Sequence, residues 1–101
     1  MLVYNIFMSK NKTAKQMERH LKGVANHYRI EILLTVAENE GVTLLEVIEK
    51  LKANEKTIGE HARRLFNAGL LDKKRSGVFV ELYLSPYGKM FVQFLKSFKN
   101  F

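Results

Sequence analysis

Apolar residues recur along this chain with two different periods, and the change between them marks its organisation. From Thr13 to Lys22 a polar segment keeps Met17 and Leu21 on one side, which predicts a short helix. Asn26 is an N-cap candidate for a second helix over His27 to Asn39, where Ile30, Leu33, Leu34 and Ala37 fall at helical spacing. Gly41 breaks that pattern. Thr43 and Glu46 then have the spacing of a capping box, and the helix they open carries Leu44, Val47, Ile48 and Leu51 on one face. Only Lys52, Ala53 and Asn54 separate it from a helix over Glu55 to Ala68, whose apolar stripe is Ile58, Ala62, Leu65 and Phe66. A connection this short favours a steep crossing, the helix-turn-helix arrangement.

After Gly69, a residue suited to the left-handed conformation that ends helices, the period falls to two. Val78, Val80, Leu82 and Leu84 alternate with Phe79, Glu81 and Tyr83, and Ser76 with Gly77 supplies a turn, so "LLDKKRSGVFVELYLS" predicts a hairpin. Ser85 and Pro86 open a last helix to about Phe98. The predicted fold class is mainly α with a β-hairpin wing: a winged helix-turn-helix of about five helices and two strands, spanning residues 1–101 as one domain.

Composition narrows what such a domain does. Apolar residues make up 47% of the chain, enough for a packed core. It has no cysteine, which excludes disulfides, thiolate chemistry and cysteine metal sites and fits a cytoplasmic setting. The opening "MLVYNIFM" is apolar but short and has no basic residue before it, so neither a signal peptide nor a membrane span is expected there. The net charge of +7 is unevenly spread. Lys10 to Lys22 carries five basic residues against one acid, Glu31 to Glu49 five glutamates and no lysine or arginine, and Lys56 to Arg75 six basic residues against two acids. A molecule with one positive and one negative side points to a polyanion as partner.

The segment "LKGVANHYRIEILL" resembles the opening of ArsR-type winged helix-turn-helix repressors in Leu21, Ala25, Asn26, Arg29, Ile30, Ile32 and Leu33. Without a gap, Glu46, Leu51, Thr57, Ile58, His61, Leu65, Ala68, Gly69, Leu70, Gly77 and Leu84 match that family's next two helices and wing. The ending "LSPYGKMFVQFL" is similar to the dimer-helix entry of MarR or PadR regulators. The resemblance implies a homodimeric transcriptional regulator, acting as a repressor, that binds double-stranded DNA. There are departures too. Metal-sensing members often carry cysteines on the helix holding Leu44 to Leu51, and their absence excludes sensing by that route. His27 stands where the family often has proline, and Gly59 and Glu60 where it often has serine and arginine or glutamine.

On a helical wheel Lys56, Gly59, Glu60, Arg63, Arg64 and Asn67 share the face opposite Ile58, Ala62 and Leu65. A charged solvent face is the bland alternative. Gly59 argues for a groove wall passing close by, since glycine costs up to about 1 kcal/mol inside a helix. The expected DNA-contacting set is Lys56, Thr57, Gly59, Glu60, Arg63, Arg64 and Asn67 on the helix, with Lys73, Lys74 and Arg75 on a wing over 72–79. Arg63 suits guanine, and Glu60 either accepts from a cytosine amino group or holds an arginine through a helical salt bridge. His61 is expected to be packed or hydrogen-bonded at the edge of the stripe, and His20 and His27 to sit on different helices without forming a metal site. No nucleophile, phosphate loop or zinc motif appears, so neither catalysis nor a cofactor is expected.

On the last helix Tyr87, Phe91, Phe94, Phe98 and Phe101 repeat at spacings of four and three, the seam that faces a partner helix, and Met90 and Leu95 widen it. A dimer interface is expected there, with the apolar N-terminus pairing against it. Two rival functions remain open from the residues alone: a protein-docking module, and a binder of RNA or single strands, for which exposed aromatics on a basic sheet are required.

Overall fold

A computed structural model describes residues 11–101 of the chain; the apolar opening segment and its expected pairing lie outside them. The elements follow the expected order: α1 (Ala14–Val24), α2 (His27–Glu38), α3 (Leu44–Leu51), α4 (Glu55–Asn67), β1 (Leu71–Ser76), β2 (Phe79–Leu84) and α5 (Pro86–Lys99).

Every helix begins where a short polar side chain accepts from otherwise unpaired backbone N–H groups. Asn26 Oδ1 accepts from the amides of Tyr28 and Arg29 at 2.9 and 3.3 Å, and Asn54 Oδ1 from those of Lys56 and Thr57 at 2.8 and 3.2 Å. The capping box at Thr43 is closed from both sides: Glu46 N donates to Thr43 Oγ1 at 3.1 Å, and Thr43 N to Glu46 Oε1 at 2.8 Å. Thr13 and Gln16 build a second box at the start of α1. Ser85 Oγ accepts from Gly88 N at 2.9 Å under the Pro86 turn of α5.

α4 stops as its sequence dictates. Gly69 takes φ +77, Leu70 N donates to Leu65 O at 2.9 Å and Gly69 N to Phe66 O at 3.0 Å. This is the Schellman pattern, with Leu65 and Leu70 both fully buried. Between α3 and α4, Lys52 takes the left-handed conformation that turns the chain, with φ 51.

The core is built from Ile32, Leu33, Val36, Val47, Ile58, Leu65, Leu70 and Leu82, all fully buried. Helix α2 runs through its centre and touches all four other helices and β2. For that reason its burial is wider than the expected stripe: Ile32, Thr35 and Val36 are buried with Leu33, while Ile30, Leu34 and Ala37 are only half-buried. In α1 the side that carries Met17 and Leu21 is not the packed one. Met17 and Leu21 are exposed, and the helix packs through His20, Gly23 and Val24.

The hairpin is antiparallel, with Leu71 opposite Leu84 and Ser76 opposite Phe79. Its turn is Gly77–Val78, one residue later than expected, and Gly77 takes φ +64 at the first turn position, where a two-residue hairpin favours glycine. An isolated β-bridge between Thr43 and Glu81 escaped the period analysis. Gly41 N donates to Leu82 O and Leu82 N to Val42 O, each at 2.8 Å, so β2 is held on both edges and the wing projects from a fixed base.

Candidate nucleic-acid interface

Helix α4 turns Ile58, Ala62 and Leu65 into the core. Lys56, Arg63, Arg64 and Asn67 are exposed on the other side, with Thr57, Gly59 and Glu60 half-buried along its margin. The seven helix positions expected to contact DNA therefore share one solvent-facing surface.

Glu60 organises the arginines. Its carboxylate accepts from Arg63 Nε at 3.1 Å, Arg63 Nη2 at 2.7 Å and Arg64 Nε at 3.3 Å. The hydrogen bonds from Arg63 hold the Glu60 carboxyl below the usual carboxylate range, and the charges of both arginines reinforce the shift. Of the two roles expected for Glu60, this geometry forms the helical salt bridge. A guanidinium fixed as a fork by Glu60 loses less side-chain freedom when it meets a base edge or phosphate.

Gly59 has open space around it: a β-carbon built there meets nothing within 4 Å. Nothing inside this subunit requires glycine at this position. Gly59→Ala is accordingly expected to raise stability by up to about 1 kcal/mol through helix propensity. If a groove wall passes there, the same substitution weakens duplex binding. Thermal melting and a binding isotherm on one variant read both effects, and a variant that is more stable and binds equally well removes Gly59 from the interface.

Register divides the wing cations between two faces. Lys73 and Arg75 pair across from Leu82 and Val80, and Lys74 from Glu81. Cross-strand partners share a face, so Lys73 and Arg75 lie on the side that carries buried Leu71, Leu82 and Leu84. Lys74 lies on the reverse side beside Glu81. The ammonium of Lys73 sits 4.9 Å from the centre of the Phe66 ring, which ties that strand face to α4. Lys73 thus borders α4, and Arg75 lies on the same strand face nearer the turn, a distinction that the run "KKR" alone does not reveal.

His61 stacks on Tyr28 with ring centroids 5.4 Å apart, packed as expected, and its Nδ1 is buried without a hydrogen-bond partner. Burial first, then the charges of Arg29 and Arg64, lower its pKa below the ordinary histidine value. His20 and His27 fall on α1 and α2. Among the described residues no three metal-ligating side chains gather, and no helix is long and apolar enough to cross a membrane.

A second surface is apolar. On α5, Met90, Phe94 and Phe98 are largely exposed and Tyr87 partly so, with Phe94 and Phe98 stacked at 5.6 Å; Phe101, expected in the same helical seam, lies beyond the end of α5 and is fully exposed. Phe91 and Leu95, from the same expected seam, are half-buried against the chain's own core. Exposed Met17 and Leu21 of α1 border Tyr87, Met90 and Phe91 around a cavity of about 280 Å³. The exposed apolar surface therefore extends from α5 onto α1.

No family model and no curated protein sequence matches the chain. Solved structures do. HlyU from Vibrio cholerae is 25% identical over 90% of this chain and 97% of its own, with a TM-score of 0.78. A homodimeric winged helix-turn-helix DNA-binding domain from Mycobacterium bovis, described as that of a possible ArsR-family transcriptional regulator, is 17% identical over 91% of each chain, with a TM-score of 0.76. The transcriptional repressor BigR from Xylella fastidiosa is 17% identical over 84% of this chain and 87% of its own, with a TM-score of 0.73. The chain has a winged helix-turn-helix fold related to those of ArsR- and MarR-type transcriptional regulators. It lacks the cysteines of their metal-sensing members.

Proposed function

We propose that this protein is a cytoplasmic, homodimeric transcriptional regulator that binds double-stranded DNA sequence-specifically and acts as a repressor. The observation that carries the reading is the cationic face of α4, with Lys73 of the wing set against its Phe66. α4 enters the major groove, where Arg63 reads a base edge and Lys56, Arg64 and Asn67 contact bases or the flanking backbone. Lys73, Lys74 and Arg75 grip phosphates beside it. The relatives' descriptions as a DNA-binding domain and a repressor support the DNA-binding regulatory role.

The dimer forms through the exposed seam of Tyr87, Phe94, Phe98 and Phe101, with Phe91 and Leu95 completing it from the core side. Burying an exposed aromatic row of this kind is what an isologous two-fold contact achieves. The homodimeric state of the mycobacterial relative supports it.

Two substitutions separate reading from gripping. Arg63→Ala is expected to cost about 1–3 kcal/mol on a selected duplex and to relax preference at one base position. Arg75→Ala is expected to weaken all duplexes alike and to make the salt dependence shallower by about one unit per phosphate lost. Isotherms on selected and random DNA check this. Equal losses for Arg63→Ala on both DNAs contradict base reading by α4.

A further inference from the structure

The basic run Lys10 to Lys22 has no part in the interface described so far. Its helix, α1, lies against the end of α4. A β-carbon on Gly23 would stand 2.4 Å from Ala68 Cβ, so the two helices approach this closely only because residue 23 is glycine. Buried His20 donates through Nδ1 to Ala68 O at 2.8 Å and pins the contact. This packing sets Arg19 and Lys22 beside Arg63, Arg64 and Asn67 across a shallow groove of about 390 Å³. Arg29, from the start of α2, joins its lining; Nη1 donates to the carbonyls of Lys22 and Gly23 at 3.3 Å each, and Nε is buried without a partner.

Five cations thus line one groove. Among the described residues only two carboxylates pair with them: Glu60 with Arg63 and Arg64, and Glu18 with Lys22. An excess of three positive charges remains, and like charges held this close repel one another until an anion comes between them.

We propose that this groove takes a phosphate of the nucleic-acid backbone, extending each subunit's duplex footprint from α4 across to α1. The inference rests on the duplex-binding function proposed above. α4 is one wall of the groove, so DNA seated on the exposed face of α4 brings the flanking sugar–phosphate chain to the groove's rim. Guanidinium forks match phosphate oxygens in pairs. Arg19 and Lys22 are then contact residues that supply affinity without sequence preference.

The test compares Arg19→Gln/Lys22→Gln with Lys96→Gln/Lys99→Gln, measuring duplex binding by fluorescence anisotropy across a salt series. All four positions are exposed, and Lys96 and Lys99 lie near Glu38, at the opposite end of α2 from Arg29. The α1 pair is expected to lower affinity on the order of tenfold on any sequence and to make the slope of log K against log salt shallower by about two for a dimer, one phosphate per subunit. The α5 pair is expected to leave that slope unchanged. An α1 pair that binds like wild type overturns the proposal, and so does an equal loss from both pairs, which would reflect net charge alone. In either case wild-type binding leaves the duplex-binding function standing, whereas a wild type that binds no duplex at low salt removes both. Should the α1 pair melt early, Arg19→Gln alone is read against the same outcomes.

Discussion

Phe94→Arg is expected to convert a dimer into a folded monomer and to weaken duplex binding by about 10²–10⁴-fold. Two linked modules bind a two-part site far more tightly than either alone, because the second contact becomes intramolecular. Phe94 is 57% exposed and stacks on Phe98 at the outer face of α5, so an arginine there disturbs the subunit's core little while placing a charge in the centre of the proposed seam. Phe91 and Leu95 make a poorer test, since both pack on this subunit's own core and their loss would confuse unfolding with dissociation. Sedimentation of wild type and variant, with thermal melting as the control for folding, decides the matter. A variant that stays dimeric, or a wild type that is monomeric well above the concentrations at which it binds DNA, places the interface elsewhere.

The second large effect is that of salt. Each phosphate neutralised by a lysine or arginine releases condensed counterions and contributes about −0.9 to the slope of log K against log salt. A dimer in which each subunit neutralises two or three phosphates has a slope of roughly −4 to −6, so affinity falls about 10³-fold between 50 and 200 mM salt. Exposed Lys56, Arg64, Lys73, Lys74 and Arg75 supply more than enough cations for that number. A docking module whose physiological partner is an apolar or weakly charged protein surface has no such dependence. A slope near zero therefore contradicts duplex binding.

Local chemistry made most of the fold legible in the sequence. Asn26, Thr43, Asn54, Ser85 and Gly69 each act within a few residues of themselves, and each starts or stops a helix where its side chain or backbone freedom dictates. What escaped the sequence depends on neighbours far along the chain. The sequence shows Met17 and Leu21 on one side of α1, but α1 packs on α4 through Gly23 and His20, whose small size and polar ring give no apolar signal. The stripe of α2 was too narrow because periodicity assumes one buried face, and this helix is surrounded. Val42 and Thr43 are too few to show a period of two, so their bridge to β2 was hidden. At the site, residue type named ten candidates, and the structure places the seven on α4 along one solvent-facing side. The division of Lys73 and Arg75 from Lys74 needed the cross-strand register, and the five-cation groove needed the packing of α1 on α4.

The central claim is that one face of this molecule binds duplex DNA: the exposed side of α4 together with the wing. Amide chemical-shift mapping during titration with a short duplex at low salt tests it most directly. The account predicts progressive shifts at Lys56, Thr57, Gly59, Glu60, Arg63, Arg64 and Asn67 and at Lys73 to Arg75, with Glu31 and Glu38 of α2 and Glu49 of α3 unmoved. Shifts confined to α5 or to those glutamates, with α4 and the wing unchanged at saturating duplex, would contradict it.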